Sequence, residues 1–394
     1  MKCLNRRQFL STGLLSTLAF PGSPLSPCAD DESAWPVSES TEAGSKPRVV
    51  FSGDGLGLSA VEYAQLLAHL CEEQGVQRDV YCDGGPVAEL ERHMASVLGK
   101  EHAVFLPTGT LANNLAIRLL AGERRRVLVQ KESHLYKDEG DFAQALSGLT
   151  LVPLAPDRST FSVPEVEAEI RGFDGGPVPV PIGAISIESP VRRKAGEVFD
   201  FTEMKQISAF ARSHKIGLHL DGARLFLASA YTGISPAEYS ALFDTVYVSL
   251  YKYFNAGAGA ILAGPRSLLE TMAVTRRSFG AGMFQAWPYA AVALHYAQGF
   301  EQRYRNAVQA SEVLMRKLAE HPAFRVERIP SGSNVFTLHF QVKDFKTVQK
   351  KLADTNIFIR DPLGPGTRIL MNVNETINRR PPEDLAQAFI SAAG

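Results

Sequence analysis

The sequence predicts an α/β protein whose core is a mostly parallel sheet flanked by helices, followed by a smaller C-terminal α/β unit. Three observations carry that prediction. Two apolar runs of strand length, at 216–220 and 245–250, enclose helical patterns at 224–230 and 235–243, a crossover that makes the two strands parallel. The same alternation recurs upstream, with a strand at 103–106, a helix at 111–120, and further strands at 127–130 and 184–187. Finally, 394 residues of 45% hydrophobic composition suffice for a large core and two domains, with no repeat or low-complexity tract after the N-terminal segment. A formal net charge of −1 gives no electrostatic case for nucleic acid.

In chain order, residues 1–30 fall outside the expected fold. Asn5-Arg6-Arg7-Gln8-Phe9-Leu10 is close to the twin-arginine export pattern, and the weakly apolar stretch 14–20 behind it is too short to span a bilayer. The expectation is a protein exported folded, periplasmic or otherwise extracytoplasmic, without a membrane span. Cys28 offers a minor route to lipid anchoring. Residues 31–47 are polar and proline-bearing, a linker. Cys71 and Cys82 would remain in an oxidising compartment, where they could pair, although two cysteines make no disulfide framework. A large domain is expected over 48–275. A long helix, 285–321, then leads into a small domain that completes 276–394, with strands at 325–329, 334–340, 357–360 and 368–372 and helices at 345–352 and 382–392. Between them, 87–98 reads as an amphipathic helix with Leu90, Met94 and Leu98 on its core face and Gly99 as its stop.

The chemistry gathers where strands end. The run 216–220 stops at Asp221 and the run 245–250 leads to Lys252, and in open parallel sheets ligands sit beyond the carboxyl ends of the strands. Asp221, Arg224 and Lys252 therefore surround one crevice. A carboxylate on one strand end and a lysine on a nearby one suit pyridoxal phosphate: the lysine holds the aldehyde covalently, and the aspartate keeps the pyridine nitrogen protonated so that the ring accepts electrons. Gly257 and Gly259 would let backbone approach the cofactor. Pro107-Thr108-Gly109-Thr110 joins a strand to a helix N-terminus, an arrangement that favours an anion because unpaired N–H groups and the helix dipole point at it.

The wording of these segments resembles the threonine aldolase and β-eliminating lyase family, pyridoxal-phosphate enzymes of the aspartate-aminotransferase fold. The resemblance lies in His219-Leu220-Asp221-Gly222-Ala223-Arg224, in Ser249-Leu250-Tyr251-Lys252, and in PTGTLAN at 107–113, and it extends from about Asp79 to about Asn374. It implies the PLP-dependent transferase-like fold with a seven-stranded sheet in the large domain. It makes Thr108, Gly109, Thr110 and Ser249 cofactor-binding and Lys252 the covalent anchor, with Asp221 at the ring nitrogen. Glu132-Ser133-His134 matches a segment whose histidine stacks on the ring, so His134 also becomes a candidate for handling a substrate hydroxyl proton. Arg224, Arg368 and, less firmly, Ser52 fall where the family holds the substrate carboxylate. Asp79–Pro86 resembles a segment that shapes the cleft. No metal is implied, and the family suggests a homodimer or homotetramer acting on a small amino acid.

Two positions depart from the pattern. Val191 stands where the family has a second histidine near the β-hydroxyl, and Phe284 stands in place of an arginine that helps to hold phosphate, a task Arg276 or Arg277 could take over. The activity implied is cleavage of a β-hydroxy-α-amino acid to glycine and an aldehyde. The alternatives are β-elimination or racemisation with the same cofactor, or a binding protein with a degenerate site.

Overall fold

The computed structural model describes residues 46–173, 177–364 and 366–394. The expected export signal, Cys28 and the linker up to residue 45 lie outside the described residues.

The large sheet has seven strands: His102–Leu106 (β1), Arg126–Gln130 (β2), Thr150–Leu154 (β3), Ile182–Glu188 (β4), Gly217–Asp221 (β5), Thr245–Ser249 (β6) and Ala260–Gly264 (β7). Their order across the sheet is β1-β7-β6-β5-β4-β2-β3. Only β7 runs against its neighbours; the pairs β2/β3, β2/β4, β4/β5 and β5/β6 are parallel. Every residue of β4, β6 and β7 is buried, because helices cover both faces and leave no side for water. Within a strand the faces alternate: Leu128 joins the main core, while Val127 and Val129 pack with Ile117 and Ala121. Helix α3, Gly109–Ala121, lies across that second face and buries Leu111, Ala112, Leu115 and Ala116 with Tyr247, Ala260 and Leu262.

A three-stranded antiparallel sheet forms the C-terminal unit from Phe324–Arg328 (β8), Val335–Phe340 (β9) and Arg368–Asn372 (β10), in the order β10-β9-β8. Val49–Val50 pairs with Ile357–Phe358, so the start of the described chain is stitched to this unit. The long helix expected over 285–321 is instead two, Trp287–Ala297 and Phe300–Ala319, because Gly299 takes φ 68°, a left-handed turn that a continuous helix cannot contain. Cys71 is exposed, Cys82 is buried, and both are free thiols, so the pairing considered above is absent. No helix among the described residues is long and apolar enough to cross a membrane.

Candidate active site

The carboxyl ends of β1, β2, β4, β5 and β6 carry the residues of interest, as the topology requires. Asp221 ends β5 and is 3% exposed. It stands directly across from Glu188 at the end of β4. Its Oδ2 accepts from Asn113 Nδ2 at 2.8 Å and its Oδ1 from the Ala223 N–H at 3.2 Å. Asn113 also donates to Glu139 Oε1 at 3.0 Å, and Glu139 in turn meets His134 Nδ1 at 3.0 Å. His134 opens the short helix His134–Lys137 capped by Ser133, and its backbone N–H donates to Glu188 Oε2 at 2.6 Å. One continuous buried network thus joins the strand-end acid to the proposed stacking histidine.

The electrostatics follow from that packing. Burial works against a charged His134, but the Glu139 hydrogen bond and the charges of Asp221, Glu139 and Glu188 outweigh it and raise its pKa. Burial raises Glu139 in spite of its bonds to His134 and Asn113. Glu188 is pushed up to about 7 by burial and by the Asp221 charge, against the N–H groups of Arg192 and His134 that its oxygens accept from. His219, one strand position before Leu220, goes the other way: full burial lowers it to about 4, so it is a neutral ring at physiological pH.

Lys252 follows β6 and is partly buried. Its Nζ lies 3.3 Å from the Tyr251 hydroxyl and 4.6 Å from the centre of that ring. Below it, Ser249 Oγ is buried beside the Tyr247 phenol and makes no hydrogen bond of good geometry. Thr108 caps α3, its hydroxyl accepting from the Leu111 N–H at 3.2 Å. Gly109 is required here by space: a Cβ would come within 1.9 Å of the Tyr247 hydroxyl oxygen. Thr108, Gly109 and Thr110 therefore offer a helix N-terminus that reaches down to Tyr247, and the orphan hydroxyl of Ser249 is a buried donor lacking an acceptor. That donor set fits a phosphate, and the acid Asp221 fits a protonated ring nitrogen, so the residues match pyridoxal phosphate.

Arg224 follows Asp221 by three positions and points its guanidinium at Asp54, Nε to Oδ2 2.7 Å. Asp54 Oδ1 accepts from Asn334 Nδ2 at 3.0 Å, which ties the N-terminal segment, the large sheet and the small sheet together. Burial opposes the charge of Arg224, and Asp54 and Glu188 more than restore it; burial likewise opposes the Asp54 carboxylate, which Arg224, Asn334 and Lys252 hold below its ordinary range. Removing either partner of such a pair strands a buried charge, at about 3–5 kcal/mol. Ser52 sits two residues before Asp54, partly buried and with no side-chain hydrogen bond among the described residues. Arg368 starts β10 opposite His339, is exposed, and makes no hydrogen bond or ion pair that links it to the Arg224 cluster.

Several expectations need correction. Arg276 does not replace the missing phosphate arginine: it is buried and its Nη atoms donate to the carbonyls of Phe105 (2.6 Å) and Tyr81 (3.0 Å). Arg277 lies over the Tyr81 ring, 4.3 Å from its centre. Gly257 and Gly259 do not open room for a ligand; a Cβ at Gly259 would strike Phe105 at 2.7 Å and one at Gly257 would press on Tyr289 at 3.1 Å. The segment after Asp79 is held from within, since Asp79 Oδ1 accepts from the N–H groups of Ala286 and Trp287 and Oδ2 from Cys82.

A beta-eliminating lyase family model matches residues 68–340. The chain belongs to that family. The chain is similar to curated proteins of different activity. A low-specificity L-threonine aldolase of Eremothecium gossypii is 26% identical over 79% of this chain and 80% of its own. An alanine racemase of Cochliobolus carbonum is 30% identical over 60% of this chain and 62% of its own. Among solved structures, a candidate L-allo-threonine aldolase from Listeria monocytogenes EGD-E superposes with a TM-score of 0.73 at 25% identity, covering 88% of this chain and 96% of that one. The chain is a pyridoxal-phosphate-dependent lyase of the threonine aldolase type, with the fold expected of one.

Against the family pattern, Val191 is fully buried, and its N–H donates to the Glu197 carbonyl at 2.8 Å. The position contributes an apolar side chain to the core, with no group to receive a proton. Phe284 is 60% exposed and meets Tyr81 edge to face at 5.5 Å. Sequence reasoning missed Asn113, Glu139, Tyr247 and Asn334. Asn113 closes the PTGTLAN motif and so had a signal; Glu139, Tyr247 and Asn334 had none short of tertiary structure.

Proposed function

We propose that this lyase cleaves a β-hydroxy-α-amino acid into glycine and an aldehyde at the crevice between Asp221 and Lys252. The observation that carries the reading is the convergence of Asp221, His134, Ser249, Lys252 and the N-terminus of α3 on one edge of the sheet. Pyridoxal phosphate, when bound, supplies an electron sink for the Cα substituent that breaks. Lys252 would hold its aldehyde, Asp221 its ring nitrogen, His134 its ring face, and Thr108, Gly109, Thr110 and Ser249 its phosphate.

The protein's own groups do the rest. Arg224, kept cationic by Asp54, receives the substrate carboxylate, and Arg368 and Ser52 are further candidates for that anion. Fixing the carboxylate would hold the amino acid in one orientation in the crevice. With its Nδ1–H donated to Glu139, the neutral His134 ring would present Nε2 as a proton acceptor for the β-hydroxyl, the task that buried Val191 leaves open. Because the pKa of His134 is raised, its acceptor form grows as pH rises through that value. Export by the twin-arginine route rests on Asn5–Leu10, and assembly into a dimer or tetramer on the exposed Val80, Tyr81, Val274 and Phe284.

Cofactor-loaded protein given threonine, allo-threonine and phenylserine should yield glycine and the matching aldehyde in equal amounts. Release of ammonia and a 2-oxo acid, or inversion of alanine without cleavage, would replace this reading with elimination or racemisation.

A further inference from the structure

Helix α3 serves the site twice. Its first turn packs on Tyr247 at Gly109, and one turn further in stands Asn113, 1% exposed. The Asn113 carboxamide is bonded on every side used by its neighbours: Nδ2 to Asp221 Oδ2 (2.8 Å) and to Glu139 Oε1 (3.0 Å), Oδ1 facing His219 Nε2 (3.1 Å). His219 is itself fixed by the Thr245 hydroxyl, 2.8 Å from Nδ1. These partners decide the orientation of the amide. Two carboxylates require the NH2 side, and the oxygen is left for the imidazole N–H.

The two acids so joined belong to opposite functions. Asp221 is the partner of the ring nitrogen, and Glu139 orients His134. They repel one another across a dry interior, where each needs a donor to keep its place. Glu139 has few others: Oε2 is buried without a partner, and Oε1 accepts only from Asn113 and meets His134. A single nitrogen therefore spaces Asp221, which would hold the ring nitrogen, from Glu139, which bonds His134.

We propose that Asn113 is a positioning residue that couples the two: its amide sets Asp221 and Glu139 relative to each other, and so aligns the ring-nitrogen contact with the His134 imidazole. The inference rests on the pyridoxal phosphate reading above.

The test uses the holoenzyme and three readouts: the cofactor dissociation constant, the pH midpoint of the visible band of lysine-bound cofactor, and steady-state kinetics. Asn113→Ala should weaken cofactor binding about tenfold, move the midpoint by roughly half a pH unit or more, and lower kcat with the amino-acid KM within about threefold. Where circular dichroism finds the alanine variant poorly folded, Asn113→Ser, which keeps one short donor, should shift the same quantities in the same direction. Combining Asn113→Ala with Glu139→Gln should cost no more than the worse single change, because both cut one chain of bonds. Unchanged affinity and midpoint with a lowered Tm would reduce Asn113 to a packing residue, and additive losses in the double variant would break the coupling; either overturns the inference while wild-type protein still takes up cofactor. Wild-type protein that takes up none overturns the cofactor reading, and this inference with it.

Discussion

The two ends of the site are built differently. Around Asp221 the Asn113 amide, Glu139, His134, Glu188 and His219 are linked through donors matched to acceptors, with Glu139 Oε2 left buried and unpaired. Outside that network the residues at the family's other positions are placed differently. Val191 is sunk into the core, Phe284 stands outside, Arg276 is consumed by two backbone carbonyls, and Arg368 is exposed on the small sheet. The end that faces the cofactor ring must hold charges in a low dielectric, and a half-satisfied network there costs more than none. Val191, Phe284, Arg276 and Arg368 make no bond to that network, so their residue types are not tied to its satisfaction.

The largest effect should come at Lys252, beside the Asp221 network. Lys252→Ala should abolish the visible band of bound cofactor and lower turnover by roughly 10³-fold or more, on the scale of removing a positioned proton-transfer group. A variant that kept the band would move the anchor elsewhere and dissolve the contrast drawn here. Next in size is a probe of position 191. Val191→His restores a histidine by sequence but buries a polar ring where the valine is 0% exposed, so it should lower stability by about 1–3 kcal/mol without raising activity. A gain in turnover at unchanged Tm would mean that position 191 faces the cleft.

The smallest effect distinguishes the two ends by pH. Glu91 accepts from the Phe105 N–H at 2.7 Å and is pushed up to about 7, by burial above all and in spite of that bond and Arg276. Its folded-state pKa stands above the unfolded value of 4.5, so the folded chain holds the proton more tightly. The stability it contributes is complete below about pH 4.5 and is lost as pH rises through about 7. Glu91→Gln should remove that loss, gaining on the wild type by on the order of 2 kcal/mol across the window in denaturant titrations. A constant difference between the two proteins from pH 4.5 to 7 would show that Glu91 stays ionised.

What the sequence made legible follows the same division. Strand-length apolar runs with polar ends located β1, β2, β4, β5 and β6 and put Asp221 and Lys252 on one edge, because a buried parallel strand must be apolar until it reaches the site. The break at Gly299 was hidden inside a continuous helical pattern, since one glycine is tolerated in a helix until its φ is known. Arg276 stood as a candidate for the phosphate because nothing in the local sequence records that its guanidinium turns inward to backbone carbonyls. The fate of Val191 depended on which way a loop turns, and nothing local records that.

The bond from Asn334 to Asp54 spans 280 positions and the one from Arg224 to Asp54 spans 170. A ribosome must therefore finish most of the chain before Asn334 can brace the carboxylate that holds Arg224. Contacts this remote in sequence form late and slowly. A polypeptide halted short of β9 would own the lysine and the strand-end acid yet lack the Asn334 brace on Asp54, so competence to grip an amino acid should arrive last during biosynthesis.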